Sequence, residues 1–233
     1  MSAPGPVGSQ IARLFPNAEA GTRQRLEGAA RERSFGRRDI LRSRGFALPP
    51  FIVLDGHVID RRVAETGQVY GALIASPGYL GGIRSVSVPD VEPFYELVAL
   101  TDGSWATWDP RVMRGLAEDD AGLALGLLDQ SAEFAAILNI RLDERSFETA
   151  RQRMAAVLTR YGSAIFDTPH PVARRADLAA MIGTSRVMMG RALRDLETEG
   201  LVKRERGGGI RVLDEERLAS LVMVASPEGA PTI

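Results

Sequence analysis

The sequence predicts an α+β protein in which a β-rich N-terminal part is followed by one long helix and a smaller C-terminal domain. Short runs of β-forming residues separated by turn dipeptides fill residues 35–109. Residues 118–147 then contain no proline and repeat apolar residues at helical intervals. From residue 149 onward, three further helical patterns precede a glycine-rich basic hairpin. These three observations predict two domains joined by a helix.

The composition is that of an ordinary globular protein. The chain has 233 residues, of which 45% are hydrophobic and 25% charged, and its net charge is −1. This length suffices for two modest domains that each bury a core. No apolar run approaches the roughly 20 residues that cross a bilayer, and the first residues lack a secretory pattern. We therefore expect a cytoplasmic protein without a membrane partner.

The scarcity of metal-binding and nucleophilic side chains excludes several kinds of chemistry. The sequence has no cysteine, which excludes disulfides, thiolate zinc sites, cysteine-held iron–sulfur clusters and cysteine nucleophiles. The two histidines, His57 and His170, are too few for a typical histidine-based zinc site. Acidic residues such as Asp120 and Glu144 lie on predicted helix surfaces without a catalytic partner. We therefore expect neither an enzyme nor a bound cofactor or metal.

The first predicted domain, residues 10–117, is expected to form an antiparallel sandwich or barrel. Its strand candidates are FIVLDGHVI, GQVYGALI, PFYELVAL and SWATW, which PG, GG, PD and DG dipeptides separate. Short strands with Gly/Pro turns at this spacing are typical of such folds. The first dozen residues are rich in Gly, Pro and Ser and are predicted to be disordered.

The helix predicted for residues 118–147 is expected to pack on two partners. Its half from residue 121 to 128 is apolar nearly all round, whereas a surface helix needs only one apolar stripe. One partner would be the barrel of the same chain, and the other the same helix of a second subunit. An ordinary core helix of a monomer is the alternative. The predicted dimerisation residues are Leu123, Leu127, Phe134 and Leu138.

A new helix is predicted to begin at Thr149 and to open the third segment, residues 148–233. Thr149 and Gln152 have the spacing of a capping box, in which each side chain bonds to the backbone of the other residue. Gly162 is expected to end this helix in a left-handed conformation.

The C-terminal segment contains a helix-turn-helix pattern followed by a hairpin. A helix over residues 174–182 leads through Gly183 and Thr184 into a second helix, residues 185–199. Ser185 can cap the second helix, which leaves its first amide groups free for a phosphate. The stretch from residue 171 to 212 has nine Arg or Lys and five Asp or Glu, a net charge of +4. A basic segment within a neutral protein favours a nucleic-acid-facing surface.

The second helix divides into two faces at 100° per residue. One face is apolar and is expected to pack on the first helix, whereas the other combines arginines with small residues that permit close approach to a major groove. The predicted base-reading residues are Arg186, Val187, Gly190 and Arg191. The predicted phosphate and wing contacts are Thr184, Ser185, Arg194, Arg206 and Gly208. Double-stranded DNA is the expected partner.

The segments DLAAMIGTSR, GRALRDLETEGLV and GGIRVLD resemble the winged helix-turn-helix signature of the cyclic-AMP receptor protein/fumarate-nitrate regulator (Crp/Fnr) superfamily. The order of a β-rich domain, a long helix and a C-terminal domain agrees with it. The resemblance implies a bacterial transcription regulator with a jelly-roll, cyclic-nucleotide-binding-like sensor domain. It also implies a homodimer joined along residues 118–147, a two-fold-related DNA site and possible contact with RNA polymerase.

The recognition helix departs from the pattern of the resembled family at one position. Family members usually have Arg-Glu-x-x-x-Arg, whereas this chain has Val187 between Arg186 and Arg191 in place of the glutamate. Glutamate accepts a hydrogen bond from cytosine N4 and valine cannot, although valine can contact a thymine methyl group. A lost base contact costs about 1–3 kcal/mol of discrimination. The usual half-site of the family is therefore expected to be disfavoured or loosely recognised.

The barrel departs from the cyclic-nucleotide pattern at two positions. Gly82 stands where the family has a ribose-binding glutamate, and Pro93-Phe94-Tyr95 stands where Pro-Arg is expected. A phosphate without its arginine loses a charge-assisted partner, which Arg84 would only partly replace. Gly82, Arg84, Phe94 and Tyr95 are the candidate effector-pocket residues, with cyclic AMP an unlikely effector. A regulator without an effector, or a binding module with a vestigial winged helix, is the alternative.

Overall fold

The structure is a computed structural model that describes residues 5–42, 48–63, 69–88, 95–166 and 175–223. The predicted effector-pocket residue Phe94 and His170 lie outside these ranges. The elements follow in chain order: α1 (Pro6–Leu14), α2 (Ala20–Gly28), β1 (Arg31–Phe35), β2 (Ile40–Arg42), β3 (Phe51–Asp55), β4 (Val58–Val63), β5 (Val69–Ala75), β6 (Leu80–Gly81), α3 (Arg84–Ser87), β7 (Tyr95–Ala99), β8 (Gly103–Thr107), α4 (Pro110–Asp119), α5 (Ala121–Phe147), α6 (Ala150–Tyr161), α7 (Arg175–Met181), α8 (Arg186–Thr198), β9 (Val202–Arg204), β10 (Ile210–Val212) and α9 (Glu215–Ala219).

Two compact units divide the chain. The first comprises Met1–Asp60 and Ile74–Ala136, and the second comprises Arg61–Leu73 and Ile137–Thr232. This division cuts α5 within its length and groups part of β4 and β5 with the C-terminal residues. The domain boundaries predicted from the sequence are 10–117, 118–147 and 148–233. They follow the secondary-structure elements that the sequence predicts, and they stay predictions.

Two four-stranded sheets confirm the predicted β-rich N-terminal part. Their strand orders are β1-β8-β3-β6 and β2-β7-β4-β5. Strand β8 pairs antiparallel with both β1 and β3, so that it lies inside its sheet. Strand β3 reads FIVLD and buries three successive residues, because one sheet face meets the core and the other is also covered. The N-terminal sheets, the long helix and the C-terminal helix-turn-helix give the α+β class that the sequence predicts.

The predicted disorder at the N-terminus is wrong from residue 6 onward, since these residues form helix α1. Pro6 occupies the first turn, where its missing N–H costs nothing. Val7, Ile11 and Leu14 recur at intervals of four and three residues and are buried in the core. The Gly/Pro/Ser composition concealed this apolar stripe.

The long helix begins at Ala121 and not at residue 118. Residues 110–119 form the separate helix α4, and Asp120 between the two helices is extended, with φ −134° and ψ 104°. The Asp120 carboxylate accepts the Leu123 N–H at 3.0 Å and the Glu19 N–H at 2.8 Å. Asp120 therefore ends one helix and caps the next, and it is buried, contrary to the predicted surface position.

The first turns of α5 lie against the chain segment that follows α1. A Cβ atom on Gly122 would come within 2.0 Å of the Asn17 carbonyl oxygen. A Cβ atom on Gly126 would come within 2.6 Å of the Phe15 ring. Because real Cβ atoms do not tolerate such distances, the two glycines one turn apart are what allows this close approach.

The apolar residues of α5 divide between the interior and the surface. Leu123 and Leu127, predicted for dimerisation, are buried in the core of their own unit beside Phe15 and Met113. That core leaves them no surface to offer a partner. Phe134 and Leu138, the other two predicted residues, are half-buried. At Leu123 and Leu127, the periodicity of the sequence thus identified the face of α5 that packs against its own chain.

The surface of α5 presents a different apolar face, which we call the α5 row. Its residues follow alternating steps of four and three, and all of them are exposed: Ala121, Leu125, Leu128, Ala132, Ala135, Asn139, Leu142 and Ser146. By length and composition alone, α5 is also apolar enough to cross a membrane, and only 11% of its most apolar window is buried. The α5 row is therefore an apolar surface that the described residues leave uncovered.

Candidate nucleic-acid interface

The predicted helix-turn-helix is present as α7, a tight turn and α8. Gly183 has φ +60°, and the Thr184 N–H donates to the Ala179 carbonyl at 3.1 Å. Ser185 caps α8, since its hydroxyl accepts the Met188 N–H at 3.2 Å. The turn and the cap are therefore where the glycine and serine of the sequence predicted them, and the helix bounds agree within one residue.

The two faces of α8 are separated as the spacing predicts. Met189, Ala192, Leu193 and Leu196 are buried. Arg186, Val187, Arg191 and Arg194 are exposed, and Val187 leaves 66% of its surface open. An added Cβ at Gly190 would meet nothing within 4 Å, so internal packing does not require glycine there. A small residue on the exposed face leaves room for an approaching ligand surface.

The hairpin that follows α8 has the form of a wing. Strands β9 and β10 pair antiparallel, with Lys203 opposite Arg211. The tip, Arg206–Gly208, contains two residues with positive φ, Gly207 at +83° and Gly208 at +97°. Glycine is the residue that adopts this conformation without strain. The backbone of Arg206 lies at this tip, and the structure does not describe its side chain.

Two ion pairs attach the recognition helix to its neighbours, and neither was predicted. Arg204 of the wing pairs with Glu197 of α8, and its Nε donates to the carboxylate at 2.7 Å. Hydrogen bonds from the side chain and backbone of Arg204 lower the pKa of Glu197. On the other side, Arg151 of α6 pairs with Glu199. These two arginines are therefore paired within the domain, whereas Arg186, Arg191 and Arg194 of α8 are exposed.

Two arginines, Arg153 and Arg145, contact the turn of the helix-turn-helix. Arg153 Nε donates to the Ile182 carbonyl at 2.7 Å, immediately before the turn. A Cβ at position 183 would lie 2.5 Å from Nη1 at the flexible end of Arg145, so it is the φ of +60° that favours glycine here. The Arg145 guanidinium also lies 4.7 Å from the ring centre of Tyr70, a cation–π contact. Strand β5 and the turn thus contact the same guanidinium.

A buried charge network lies between the end of α5 and α6. Glu144 accepts hydrogen bonds from Arg141 at 2.9 Å and from Arg160 at 2.7 Å, and Arg141 also donates to the Tyr161 hydroxyl at 3.3 Å. Burial raises the pKa of Glu144, but the two guanidinium groups outweigh it and leave the pKa below its ordinary value. Glu144 is therefore buried, and the prediction that it lies on a helix surface is wrong. The spacing of three residues between Arg141 and Glu144 was the one local feature of the sequence that indicated this ion pair.

Helix α6 begins as predicted and ends differently. The Thr149 and Gln152 capping box is formed in both directions. Gly162 has φ −51° and is not the left-handed terminator that the sequence suggested, because the chain continues as a π-helical turn to Phe166.

Two of the candidate effector residues, Gly82 and Arg84, lie in the described part of the chain, and the effector pocket itself stays a prediction. Gly82 has φ +71°, and an added Cβ would lie 2.1 Å from the Pro49 carbonyl oxygen, so the backbone itself excludes a glutamate here. Arg84 is exposed, and the side chain of Tyr95 lies outside the described residues. A cleft of about 370 Å³ adjoins Gly82 and Arg84, because Ile83 between them lines it together with α3, α4 and α5 residues that include Val86, Arg114 and Leu128. Trp105 and Trp108 are buried core residues.

The C-terminal domain is similar in sequence to a known family, and the fold is similar to that of solved structures. A family model described as the Crp-like helix-turn-helix domain matches residues 152–221, which span α6 to the end of the wing and α9. The chain has a Crp-like helix-turn-helix domain. No curated protein matches the sequence.

Solved structures that are similar to most of the chain include Crp/Fnr regulators. FixK2 from Bradyrhizobium japonicum is 19% identical with a TM-score of 0.70, covering 84% of this chain and 99% of that one. A putative Crp/Fnr-family regulator from Eubacterium rectale is 16% identical with a TM-score of 0.74, covering 91% and 98%. The c-di-GMP-responsive regulator CLP of Xanthomonas campestris is 18% identical with a TM-score of 0.69, covering 83% and 99%.

These similarities confirm the resemblance inferred from the sequence. Residues 152–221 match the Crp-like helix-turn-helix domain, and the fold is shared with solved regulators of the Crp/Fnr family. The exposed face of α8 and the wing belong to the Crp-like domain. Among the residues that the structure describes, no group of three acidic or histidine side chains could hold a metal ion.

Proposed function

We propose that the protein is a homodimeric regulator that binds a specific, two-fold-related DNA sequence by inserting α8 into the major groove. One observation carries the proposal: the Crp-like domain exposes a face of α8 that combines three arginines with Val187 and Gly190. An α-helix fits the major groove, and arginine bound to guanine O6 and N7 is the commonest specific contact there.

The positions on α8 and the wing suggest separate roles in DNA binding. Arg186, Val187, Gly190 and Arg191 lie on the exposed face toward the capped end of α8 and are proposed to contact base edges. The groups proposed to contact phosphates lie at the helix start, along its side and at the wing tip: Thr184, Ser185, Arg194, Arg206 and Gly208. Phosphate contacts fix the register of the helix, and base contacts supply specificity.

The exposed Val187 favours a half-site different from the one that an Arg-Glu-x-x-x-Arg helix prefers. Its side chain offers no hydrogen-bond acceptor, so cytosine at the facing position loses its partner. A thymine methyl group in its place would bury the open surface of the valine. We therefore propose a thymine where the resembled family places the cytosine.

The α5 row supports the homodimer, with corrected residues. Steps of four and three residues are the spacing by which two helices pack as a coiled coil. Leu125, Leu128 and Leu142 supply apolar contacts, and Asn139 provides a polar residue of the kind that fixes the register of two paired helices. A second copy of α5 is therefore the proposed partner of this face, in place of Leu123 and Leu127.

Control by cyclic AMP is not part of the proposal. The close approach of Gly82 to Pro49 leaves no room for a ribose-binding carboxylate. A ribose hydroxyl would therefore lack its acceptor in this segment. Any effector of this regulator is expected to be recognised by other groups.

The proposed function is tested by DNA footprinting of the full-length protein on its own promoter region. We expect protection of a two-fold-related site whose half-sites are centred about one helical turn apart. Binding that stays indifferent to sequence at physiological salt would contradict the proposal. Binding of a small molecule or protein without any DNA binding would favour the module with a vestigial winged helix.

Arg191→Ala and Arg206→Ala are expected to affect DNA binding in different ways. Arg191 lies on the exposed face of α8, so its loss should reduce discrimination against mismatched bases by about 1–3 kcal/mol. Arg206 lies at the wing tip, so its loss should weaken all sequences alike and reduce the salt slope by about 1. Titration of cognate and mismatched duplexes at several salt concentrations measures both effects. Arg114→Ala, an exposed arginine of α4, is the control, and identical profiles for the first two variants would refute the assignment.

A further inference from the structure

The sulfur chemistry of this chain is confined to methionine, and few of its thioethers reach the surface. The sequence has no cysteine and seven methionines. Of the methionines that the structure describes, four are buried: Met113, Met154, Met181 and Met189. Met188 is 43% exposed and Met223 is 68% exposed. An oxidant in solution therefore meets these two described side chains first.

Met188 lies within the proposed DNA-binding surface. It occupies the first turn of α8, one residue after Val187 and one turn before Arg191. Nη1 of Arg191 donates to the Met188 sulfur at 3.9 Å. A thioether is a weak acceptor, so this contact leaves the guanidinium free to exchange it for a guanine. The exposed sulfur and the proposed base-reading arginine are thus direct neighbours.

We propose that Met188 is an oxidation site through which peroxide lowers the sequence discrimination of the regulator. In the reaction, the sulfur lone pair attacks one oxygen of hydrogen peroxide and the O–O bond breaks. That oxygen forms the S–O bond of a sulfoxide, and the other leaves as water after proton transfer. The sulfur loses two electrons and the peroxide gains them. Methionine sulfoxide reductases reverse the product.

The sulfoxide changes the hydrogen bonds that the neighbouring Arg191 donates. Its oxygen is a polar acceptor placed on a sulfur to which Arg191 already donates. A charge-assisted hydrogen bond between them holds the guanidinium against the helix, and such bonds are about twice as strong as neutral ones. Arg191 then cannot present both donors to guanine. This consequence rests on the proposed function, because it is expressed at the base that Arg191 contacts.

The experiment compares the full-length protein before and after limited treatment with hydrogen peroxide. Trypsin cleavage after Arg186 and Arg191 releases VMMGR, in which fragment spectra separate Met188 from the buried Met189. We expect oxidation of Met188 well ahead of Met189. The ratio of Kd values for mismatched and cognate duplexes should fall about tenfold, and methionine sulfoxide reductase should restore it.

Three variants separate the effect of Met188 from that of the rest of the chain. Each protein is compared with itself before and after peroxide, so the basal affinity of a variant does not matter. Met188→Leu should lose the peroxide effect, because leucine keeps the volume and cannot be oxidised. Met223→Leu should retain it. Met188→Gln places a polar group at the site without any oxidant and should lower discrimination by itself.

Several outcomes would overturn the inference. Oxidation of Met189 as fast as Met188, unchanged discrimination after full conversion of Met188, or equal peroxide sensitivity in Met188→Leu would each do so. If the untreated protein shows no sequence preference, the proposed function fails and the inference fails with it. The peptide spectra distinguish the cases, because they report the reactivity of Met188 independently of DNA.

Discussion

Leu128→Glu is expected to convert the proposed dimer into a monomer and to weaken specific DNA binding at least about 100-fold. Leu128 is 62% exposed and lies near the middle of the apolar part of the α5 row. In a paired row, the two glutamates would face each other and lose the apolar contact that leucine makes. A dimer holds both recognition domains on one site, an advantage of roughly 100-fold to 10,000-fold over a single domain. Light scattering after gel filtration and a duplex titration measure the two effects.

The dimer prediction can be separated from general damage to the helix. Leu142→Glu, in the same row, should act like Leu128→Glu. Glu133→Ala is the control, because Glu133 is an exposed residue of α5 outside the row. All three proteins should keep the circular dichroism of the parent, since the altered side chains are exposed within one chain. A Leu128→Glu protein that stays dimeric and DNA-competent would show that this row is not the interface.

Glu144→Gln is expected to destabilise the protein by about 3–5 kcal/mol. The substitution leaves Arg141, whose side chain is 5% exposed, without the carboxylate that compensates its charge. Removing one partner of a buried ion pair costs this much because the remaining charge stays desolvated. Urea unfolding of the unit that contains α6 measures the loss. Glu118→Gln is the control, since Glu118 forms an exposed pair with Arg114 and should change stability by less than about 1 kcal/mol.

The contribution of Glu144 should depend on pH in a defined direction. Because its two arginine partners hold its pKa in the folded protein below the ordinary value, folding favours the ionised form. The stabilisation is fully present above the unfolded pKa of about 4.3 and is lost as the pH falls through the lower folded value. The stability difference between the parent and Glu144→Gln should therefore be constant above about pH 5.5 and shrink below about pH 4. A difference that grows toward low pH would contradict the charge network as its source.

The helix-turn-helix was predictable because its signals are local. The spacing of Met189, Leu193 and Leu196, the glycine at the turn and the serine cap lie within a few residues of one another. Each of these features follows from the geometry of the segment itself. The wing was predictable for the same reason, since glycines at its tip and short flanking strands define a hairpin.

The faces of α5 were not predictable, because the helix is apolar on more than one side. Periodicity shows that Leu123 and Leu128 point in different directions, but not which of them meets the core of its own chain. That choice depends on Phe15 and Asn17, which lie more than a hundred positions earlier in the sequence. The same distance conceals the capping role of Asp120 toward Glu19. Helix α1 itself was missed because its composition resembles that of a disordered terminus.

The buried charges were missed for a different reason. The sequence showed Glu144 as one acid among several on a helix, and charged residues are seldom fully buried unless paired. Its partner Arg160 lies on α6, and the packing of α6 on the end of α5 is a tertiary fact. Only Arg141, three residues earlier on the same helix, offered a local signal.

The glycine contacts between α5 and the residues after α1 also constrain the order in which the chain can fold. The Glu19 N–H and its acceptor Asp120 are separated by 101 residues. At roughly 5–20 residues per second on the ribosome, the segment after α1 waits on the order of ten seconds for the helix that contacts it. Until then Val7 and Ile11 can pack against Leu26 of α2, but their core lacks Leu123 and Leu127. The N-terminal helices are thus made first and are completed only when α5 arrives, so chaperone capture during synthesis would fall on the start of the chain.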